Sequence, residues 1–201
     1  MNKEQPAKFK KKNDLIEAAF SEFSKKSFDN TSLTAILENA KISKGYFYYH
    51  FNSKEDLYIH LFGIFLKKKE DYIIKNTPNE IFSKDFFGII KNNVSLGLGF
   101  GSKNKLIYNF SEMFMKERGN TIYTEVLNHY GIQEEGYIKT LIDKAVLNGD
   151  LRDDIPVDVI TSMINHILLH VNSLLDIKNI KDYESKIDFL LLFLEKGLKK
   201  D

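Results

Sequence analysis

The side chains best suited to chemistry in this sequence are hydroxyl, amine and phenol donors that lie close together between positions 43 and 54. Donors of these types bind phosphate oxygens, and such contacts position a protein on a nucleic acid without reading its bases. Gly45 lies among them and, because it has no side chain, lets another backbone approach closely. This segment predicts a nucleic-acid contact with Lys44, Tyr48 and Lys54 as phosphate donors.

Two short helices must position these donors. The apolar spacing predicts one helix over residues 32–40 and a second over residues 43–50, joined by a tight turn. These are the dimensions of a helix-turn-helix, whose second helix enters the major groove of DNA. Phe47 and Phe51 are four residues apart and would anchor that second helix to a core. The residues that then point away from the core are Gly45, Tyr46 and Tyr49.

Polar residues suited to capping precede the predicted helices. Thr31 or Ser32 can cap the first helix, and Ser43 can cap the second. Ser53 and Asp56 have the spacing of a capping box, which predicts the start of a long helix. The free N–H groups at that start are a further place where a phosphate can bind.

The charge of the chain is divided unevenly. Residues 1–70 carry 13 Lys and nine Asp or Glu, a balance of +4, whereas residues 71–201 carry a balance of −3. A basic cluster at one end is a weak indication of nucleic-acid binding. On charge alone, a solvated basic tail is the better interpretation.

Three sequence elements occur together at fixed spacing: Ser43-Lys44-Gly45, Tyr48-Tyr49-His50-Phe51 and Ser53-Lys54-Glu55. With them, residues 10–60 resemble the TetR/AcrR family of bacterial transcription regulators. The resemblance implies that one set of residues faces base edges, namely Thr34, Ser43, Lys44, Gly45 and Tyr46. It implies that a second set lies at the DNA backbone, namely Tyr48, Tyr49, His50 and Lys54.

The sequence departs from that family at three positions. Ser27 and Lys41 stand where the family usually has glycine, and both positions commonly need a positive φ. A residue other than glycine there costs about 1 kcal/mol, so we expect backbone strain at both. Tyr46 replaces a residue that is usually small, which bears on base preference.

The remainder of the chain is predicted to be helical, which gives an all-α fold. We expect helices over residues 10–25, 53–75, 79–95, 104–117, 120–148, 156–176 and 183–200, with a flexible break at Gly97, Gly99 and Gly101. The resemblance implies an N-terminal three-helix helix-turn-helix DNA-binding domain and a C-terminal helical domain for ligand binding and dimerisation. The predicted division is 1–55 for DNA binding, 56–75 for a connecting helix and 76–201 for the C-terminal domain.

Residues 189–194 form an unbroken apolar run that would be apolar on every side of a helix. A surface helix is not apolar all round, so either a partner subunit covers one side or the helix is central to the core. The resemblance implies a homodimer in which the last two helices of each chain pair. The predicted interface consists of Ile160, Ile164, Ile167, Val171, Phe189, Leu191 and Phe193.

Aromatic residues are dense between positions 60 and 140, and most are predicted to be core. Some can line an apolar pocket in which tyrosine hydroxyls are the polar groups, which suits an apolar or aromatic effector. The predicted pocket residues are Phe65, Phe86, Tyr108, Phe114, Tyr123, Tyr130, His166 and His170. The two histidines have a spacing that can hold a metal, but no acidic residue or cysteine is near them in the sequence, so we expect neither metal nor cofactor.

These observations predict a ligand-responsive, DNA-binding repressor that acts as a homodimer on a palindromic operator and is not an enzyme. The longest apolar run is six residues, and the first fourteen residues hold five lysines, so we expect a cytoplasmic, nucleoid-associated protein without a membrane partner. An all-α enzyme or small-molecule-binding protein without DNA-binding activity is the alternative. A helical scaffold for a protein partner is a third possibility.

Overall fold

The computed structural model describes residues 4–78, 85–133, 136–175 and 180–200. Over these residues the chain is all-α, as predicted, with one isolated antiparallel bridge between Leu151 and Lys199. The helices are α1 (Glu4–Phe23), α2 (Leu33–Ala40), α3 (Lys44–His50), α4 (Lys54–Asn76), α5 (Phe86–Lys103), α6 (Lys105–Lys116), α7 (Thr121–Tyr130), α8 (Gly136–Leu147), α9 (Val157–Leu174) and α10 (Ile180–Leu198).

The first of two compact units joins the residues up to Lys75 with Gly99–Ile132. Its core is rich in aromatic rings, and Tyr58 lies at the centre of it, with its ring 4.8 Å from that of Phe23 and 5.1 Å from that of Phe110. Each fully buried ring contributes about 1.5–3 kcal/mol, so this core holds α1, α4 and α6 firmly together.

The second unit comprises Asn76–Leu98 and the residues from Gln133 onward. Its core contains buried apolar side chains from α5, α8, α9 and α10: Phe86, Ile90, Ile142, Ile160, Ile164 and Leu191. The end of α10 is tied to the turn before α9, because the Arg152 N–H donates to the Leu198 carbonyl at 2.9 Å. These two units do not test the predicted functional domains, 1–55, 56–75 and 76–201, which stay a prediction.

The glycines near position 100 do not break the chain, so that prediction is wrong. Helix α5 continues through Gly97, Gly99 and Gly101 as far as Lys103. A Cβ added at Gly99 would overlap the Tyr72 hydroxyl, and one at Gly101 would lie 2.9 Å from the Tyr108 ring. These two glycines therefore make room for tyrosines that pack against the helix.

A different glycine ends a helix that was predicted to continue. Gly131 has a φ of 62° and donates its N–H to the carbonyls of Asn128 and Leu127, which closes the C-terminus of α7. The predicted helix over residues 120–148 is consequently two helices, α7 and α8. Helix α1 also begins earlier than predicted, at Glu4.

Candidate nucleic-acid interface

Helix α2 begins at a serine cap. The Ser32 hydroxyl accepts a hydrogen bond from the Ala35 N–H at 3.5 Å. Thr31 is buried, and its hydroxyl donates to the Ser27 carbonyl at 2.9 Å. Of the two candidates in the sequence, Ser32 is thus the cap, and Thr31 closes the preceding turn.

The turn between α2 and α3 is formed by a left-handed residue. Lys41 has φ 54° and ψ 42°, the one positive φ of a residue other than glycine in the described chain. Its N–H donates to the Glu38 and Leu37 carbonyls, and the Ile42 N–H donates to the Leu37 carbonyl at 3.1 Å. This is the αL termination usually made by glycine, so the expected positive φ is confirmed at Lys41.

The same expectation is wrong at Ser27, whose φ is not positive. Its carbonyl accepts the Thr31 hydroxyl and its own hydroxyl accepts the Asn30 side-chain amide at 2.7 Å. Local hydrogen bonds from polar side chains therefore make a turn here that any L-residue can adopt.

Helix α3 is capped at one end and anchored along one side. The Ser43 hydroxyl accepts the Tyr46 N–H at 3.2 Å. Phe47 is fully buried, Phe51 is nearly so, and their rings stack with centroids 5.8 Å apart. The predicted anchor is confirmed, and it fixes which side of α3 faces solvent.

The solvent side of α3 carries the donors that the sequence singled out. The side chains of Tyr48 and Tyr49 are 57% and 74% exposed. Ser43, Lys44 and Gly45 are exposed as well, as is Thr34 on α2. A Cβ added at Gly45 would meet only the Ser43 hydroxyl, at 4.0 Å, so packing inside the chain does not require a glycine there.

Tyr46 and His50 are half-buried at the edge of this surface. Their ring centroids are 4.8 Å apart, and the Lys11 ammonium lies 5.9 Å from the centre of the Tyr46 ring. Partial burial and, as a smaller cause, the negative charge of Asp14 raise the pKa of Tyr46. Among the described residues, the buried Nε2 of His50 has no hydrogen-bond partner.

Lys54 is placed differently from the other donors. Its ammonium donates to the carbonyls of Phe28 and Thr31, at 2.9 and 3.0 Å. It also lies 4.2 Å from the centre of the Phe28 ring. Because an ammonium has three N–H groups, two of them are already used inside the protein. This geometry makes Lys54 a brace between α4 and the connection that precedes α2.

The start of α4 is also occupied by the chain itself, which corrects the expectation of free N–H groups. The Ser53 hydroxyl accepts the Asp56 N–H at 3.1 Å, and the Asp56 carboxylate accepts the Asn52 N–H at 2.9 Å. Hydrogen bonds from its own N–H and from the Ser53 hydroxyl lower the pKa of Glu55. Two carboxylates at this helix start disfavour a phosphate there.

The helix-turn-helix lies within a span that matches a known family. Residues 15–61 match the model of the bacterial regulatory proteins of the tetR family. This segment is therefore a helix-turn-helix of the TetR type. Regulators of that family are DNA-binding transcription factors and not enzymes, so the chain is a DNA-binding transcription regulator.

The chain is similar to one regulator along most of its length and to solved structures along nearly all of it. The regulator IcaR of Staphylococcus epidermidis, a negative regulator of the biofilm operon icaADBC, is 24% identical over 145 residues, which cover 65% of this chain and 78% of IcaR. A TetR-family regulator from Chloroflexus aurantiacus is 20% identical with a TM-score of 0.74, covering 95% of this chain and 94% of that one. The ketosteroid regulator KstR2 of Mycobacterium tuberculosis is 15% identical with a TM-score of 0.62, covering 94% and 95%.

The predicted dimer residues divide into two groups. Four of them are buried in the core of the second unit, namely Ile160, Ile164, Val171 and Leu191, and Ile167 is partly buried there. Phe189 and Phe193 are instead 71% exposed. Exposed apolar neighbours that the sequence prediction missed are Val159, Met163, Leu174 and Leu192.

The predicted pocket residues do not form one group either. In the first unit, Phe114 stacks on Tyr123 at 4.7 Å, and the Tyr130 hydroxyl donates to the Ile59 carbonyl at 2.9 Å. Phe65 is buried in that same core, and Tyr108 is partly buried against it. Phe86 is buried in the second unit, and His166 is exposed on α9. The side chain of His170 lies outside the described residues.

The described part of the chain contains no group of three or more His, Cys, Asp or Glu side chains that could hold a metal ion. Helices of sufficient length and apolarity to cross a membrane are also not found in that part.

Proposed function

We propose that the chain is a homodimeric repressor whose two α3 helices read the half-sites of a palindromic operator, and which an apolar or aromatic small molecule releases from DNA. The observation that carries this proposal is the solvent side of α3. It combines two exposed tyrosines and an exposed lysine with Gly45, a glycine that the chain does not need for its own packing.

Each part of that surface suits a different part of DNA. The Tyr48 and Tyr49 hydroxyls and the Lys44 ammonium are donors for phosphate oxygens. Ser43 and Tyr46 stand at the first turn of α3, the part of a recognition helix that contacts base edges. Lys11 stands beside Tyr46, which extends the positive surface onto α1.

The dimer is supported by the apolar surface of α9 and α10. We assign the dimer interface to the exposed apolar residues of these helices: Val159, Met163, Phe189, Leu192 and Phe193. Side chains that already pack in the chain's own core, such as Ile160 and Leu191, back this surface. Covering exposed apolar area contributes about 25 cal/mol per Å², which favours a second copy with the same apolar surface.

The repressor role and the effector are supported by relatives. IcaR is a negative regulator by name, and proteins described as a gamma-butyrolactone receptor and a ketosteroid regulator share the fold. An effector acts only if it binds the DNA-free conformation better, and such couplings are typically about 1–3 kcal/mol. A repressor of this kind is expected to associate with the nucleoid.

Selection of DNA by the protein tests the proposal. The purified chain is mixed with a random duplex library, and the duplex it enriches is measured by fluorescence anisotropy over a series of salt concentrations. Lys44→Ala should lower the dependence of log K on log salt by about 2, because one phosphate contact is lost in each half-site. Lys139→Ala, on the exposed side of α8, is the matched control. Failure of the wild-type chain to enrich any duplex would favour the alternative of a helical protein without DNA-binding activity.

A further inference from the structure

A buried carboxylate lies in the first unit, away from the DNA-facing side of α3. Glu117, the residue after α6, is 2% exposed. One of its oxygens accepts the Phe28 N–H at 2.6 Å, and the other accepts the Asn120 side-chain amide at 2.7 Å. Residues separated by 89 positions in the chain are thereby joined. The α6–α7 turn is thus bonded to the connection between α1 and α2.

Phe28 is held from a second direction as well. Its carbonyl accepts the Lys54 ammonium at 2.9 Å, so an acidic side chain binds its N–H and a basic one binds its carbonyl. The Phe28 ring is buried, with its centroid 5.2 Å from that of Tyr58. Burial, followed by the negative charge of Glu117, raises the pKa of Tyr58. The α6–α7 turn and the first residue of α4 therefore meet at one residue.

A displacement of Phe28 can be transmitted to α3, the proposed recognition helix, through a short series of hydrogen bonds and packing contacts. The Lys54 ammonium also binds the Thr31 carbonyl, which directly precedes the Ser32 cap of α2. Helix α2 is joined to α3 by the Lys41 turn, and Phe47 locks α3 against the core. Helices α2 and α3 should consequently shift together when Phe28 shifts.

The α6–α7 turn is flanked by two residues that were predicted to contact an effector. Phe114 lies three positions before Glu117, Tyr123 lies six positions after it, and their rings stack at 4.7 Å. We expect a small molecule that separates these two rings to displace the turn between them. The buried carboxylate would carry this displacement to Phe28.

We propose that Glu117 is a positioning residue for DNA binding, which sets the placement of the α2–α3 pair through its bond to the Phe28 N–H. This inference rests on the proposed function as an operator-binding regulator. It predicts that operator affinity and tolerance of operator spacing both depend on the Glu117–Phe28 bond. A purely structural role predicts only a loss of stability.

Two substitutions of Glu117 test the inference. Glu117→Gln keeps an oxygen that can accept the Phe28 N–H, whereas Glu117→Met has a similar size and no such acceptor. Glu125→Met, at an exposed position of α7, is the control. Amide exchange at Phe28, thermal melting and anisotropy are measured for each variant. Two duplexes are used: the one that the wild-type chain enriches, and the same duplex with one base pair inserted between its half-sites.

For Glu117→Met we expect faster exchange at Phe28 and about tenfold weaker binding of the enriched duplex, since a hydrogen bond to a charged group is lost. The affinity for the duplex with the inserted base pair should fall by a smaller factor. The ratio of the two affinities, which measures the preference for the natural spacing, should therefore decrease. Glu117→Gln should be intermediate, which keeps the test valid if Glu117→Met fails to fold.

Three results would be adverse. Wild-type exchange at Phe28 and wild-type affinity in Glu117→Gln and in any folded Glu117→Met would overturn the inference. Equal losses on both duplexes would also overturn it, because the residue would then be merely structural. If the wild-type chain enriches no duplex, the proposed function itself fails and this inference fails with it.

Discussion

Helices α3 and α10 both expose aromatic side chains, but they differ in the polar atoms that accompany the rings. Tyr49 on α3 and Phe193 on α10 are almost equally exposed, at 74% and 71%. On α3 the rings carry hydroxyls and stand beside Lys44 and Gly45. On α10 they stand beside Leu192 and carry no polar atom.

This difference indicates different partners. A tyrosine can bury its ring and still donate a hydrogen bond, so the α3 surface suits a hydrated, anionic partner. Phenylalanine gains only from removal of water, so the α10 surface suits a dry partner with matching apolar area. We have assigned the first surface to DNA and the second to another copy of the chain.

The largest expected effect comes from placing a charge on the apolar surface of α10. Phe193→Lys should weaken self-association by about 3 kcal/mol or more, because an unpaired ammonium would be buried in the interface. Sedimentation at micromolar concentration should then find monomers. Operator binding should weaken as well, because the two half-sites would no longer be bound together.

The control for this change is Leu147→Lys, at an even more exposed apolar position on α8. It should sediment as the wild-type chain does. If Phe193→Lys also keeps the wild-type sedimentation coefficient, the assignment of α10 to the dimer is wrong.

A smaller effect is expected from removing one hydroxyl on the solvent side of α3. Tyr48→Phe should weaken operator binding by about 1–3 kcal/mol, because a hydrogen bond to a charged phosphate is lost while the ring remains. Anisotropy titrations measure this, with Tyr137→Phe on α8 as the matched exposed tyrosine. Equal losses of operator affinity in both variants would mean that the hydroxyl of Tyr48 does not contact DNA.

A substitution in the turn between α2 and α3 should change the free energy of unfolding by about 1 kcal/mol. Lys41→Gly should raise the free energy of unfolding by this amount, because glycine adopts a φ of 54° without the strain of a side chain. Urea denaturation measures it. A loss of stability would show that the lysine side chain contributes more than the strain costs.

The smallest expected effect on stability belongs to Gly45. Gly45→Ala should stabilise the chain by about 0.5 kcal/mol, because alanine favours a helix and the site has space for a methyl group. It should nevertheless weaken operator binding, because that methyl group would stand where DNA approaches. Denaturation and anisotropy on the same preparation separate these two effects, and unchanged binding would remove Gly45 from the interface.

The sequence was sufficient for the helix-turn-helix because its signals are local. Ser43 precedes α3 as a cap, and Phe47 and Phe51 have the spacing of an anchor, so neighbouring residues alone predict the side that faces out. The left-handed turn at Lys41 was predicted from the resemblance, because the family usually has glycine at that position. At Ser27, hydrogen bonds from Thr31 and Asn30 replaced the conformation that the resemblance suggested.

Features that depend on distant residues were not predictable in this way. Gly99 breaks no helix because Tyr72 fills the space beside it, and nothing in the local sequence shows that contact. Lys54 binds two carbonyls of the α1–α2 connection, and Glu117 meets Phe28 across 89 positions. Periodicity alone also does not show which side of α10 packs inward and which remains for a partner.

The most direct test of the two assignments together is sedimentation velocity of the wild-type chain mixed with the duplex it enriches, with protein and DNA followed at separate wavelengths. We predict that the free protein sediments as a particle of two chains, and that the duplex moves with an even number of chains bound in pairs. Monomeric protein, together with DNA that sediments alone at physiological salt, would contradict both assignments.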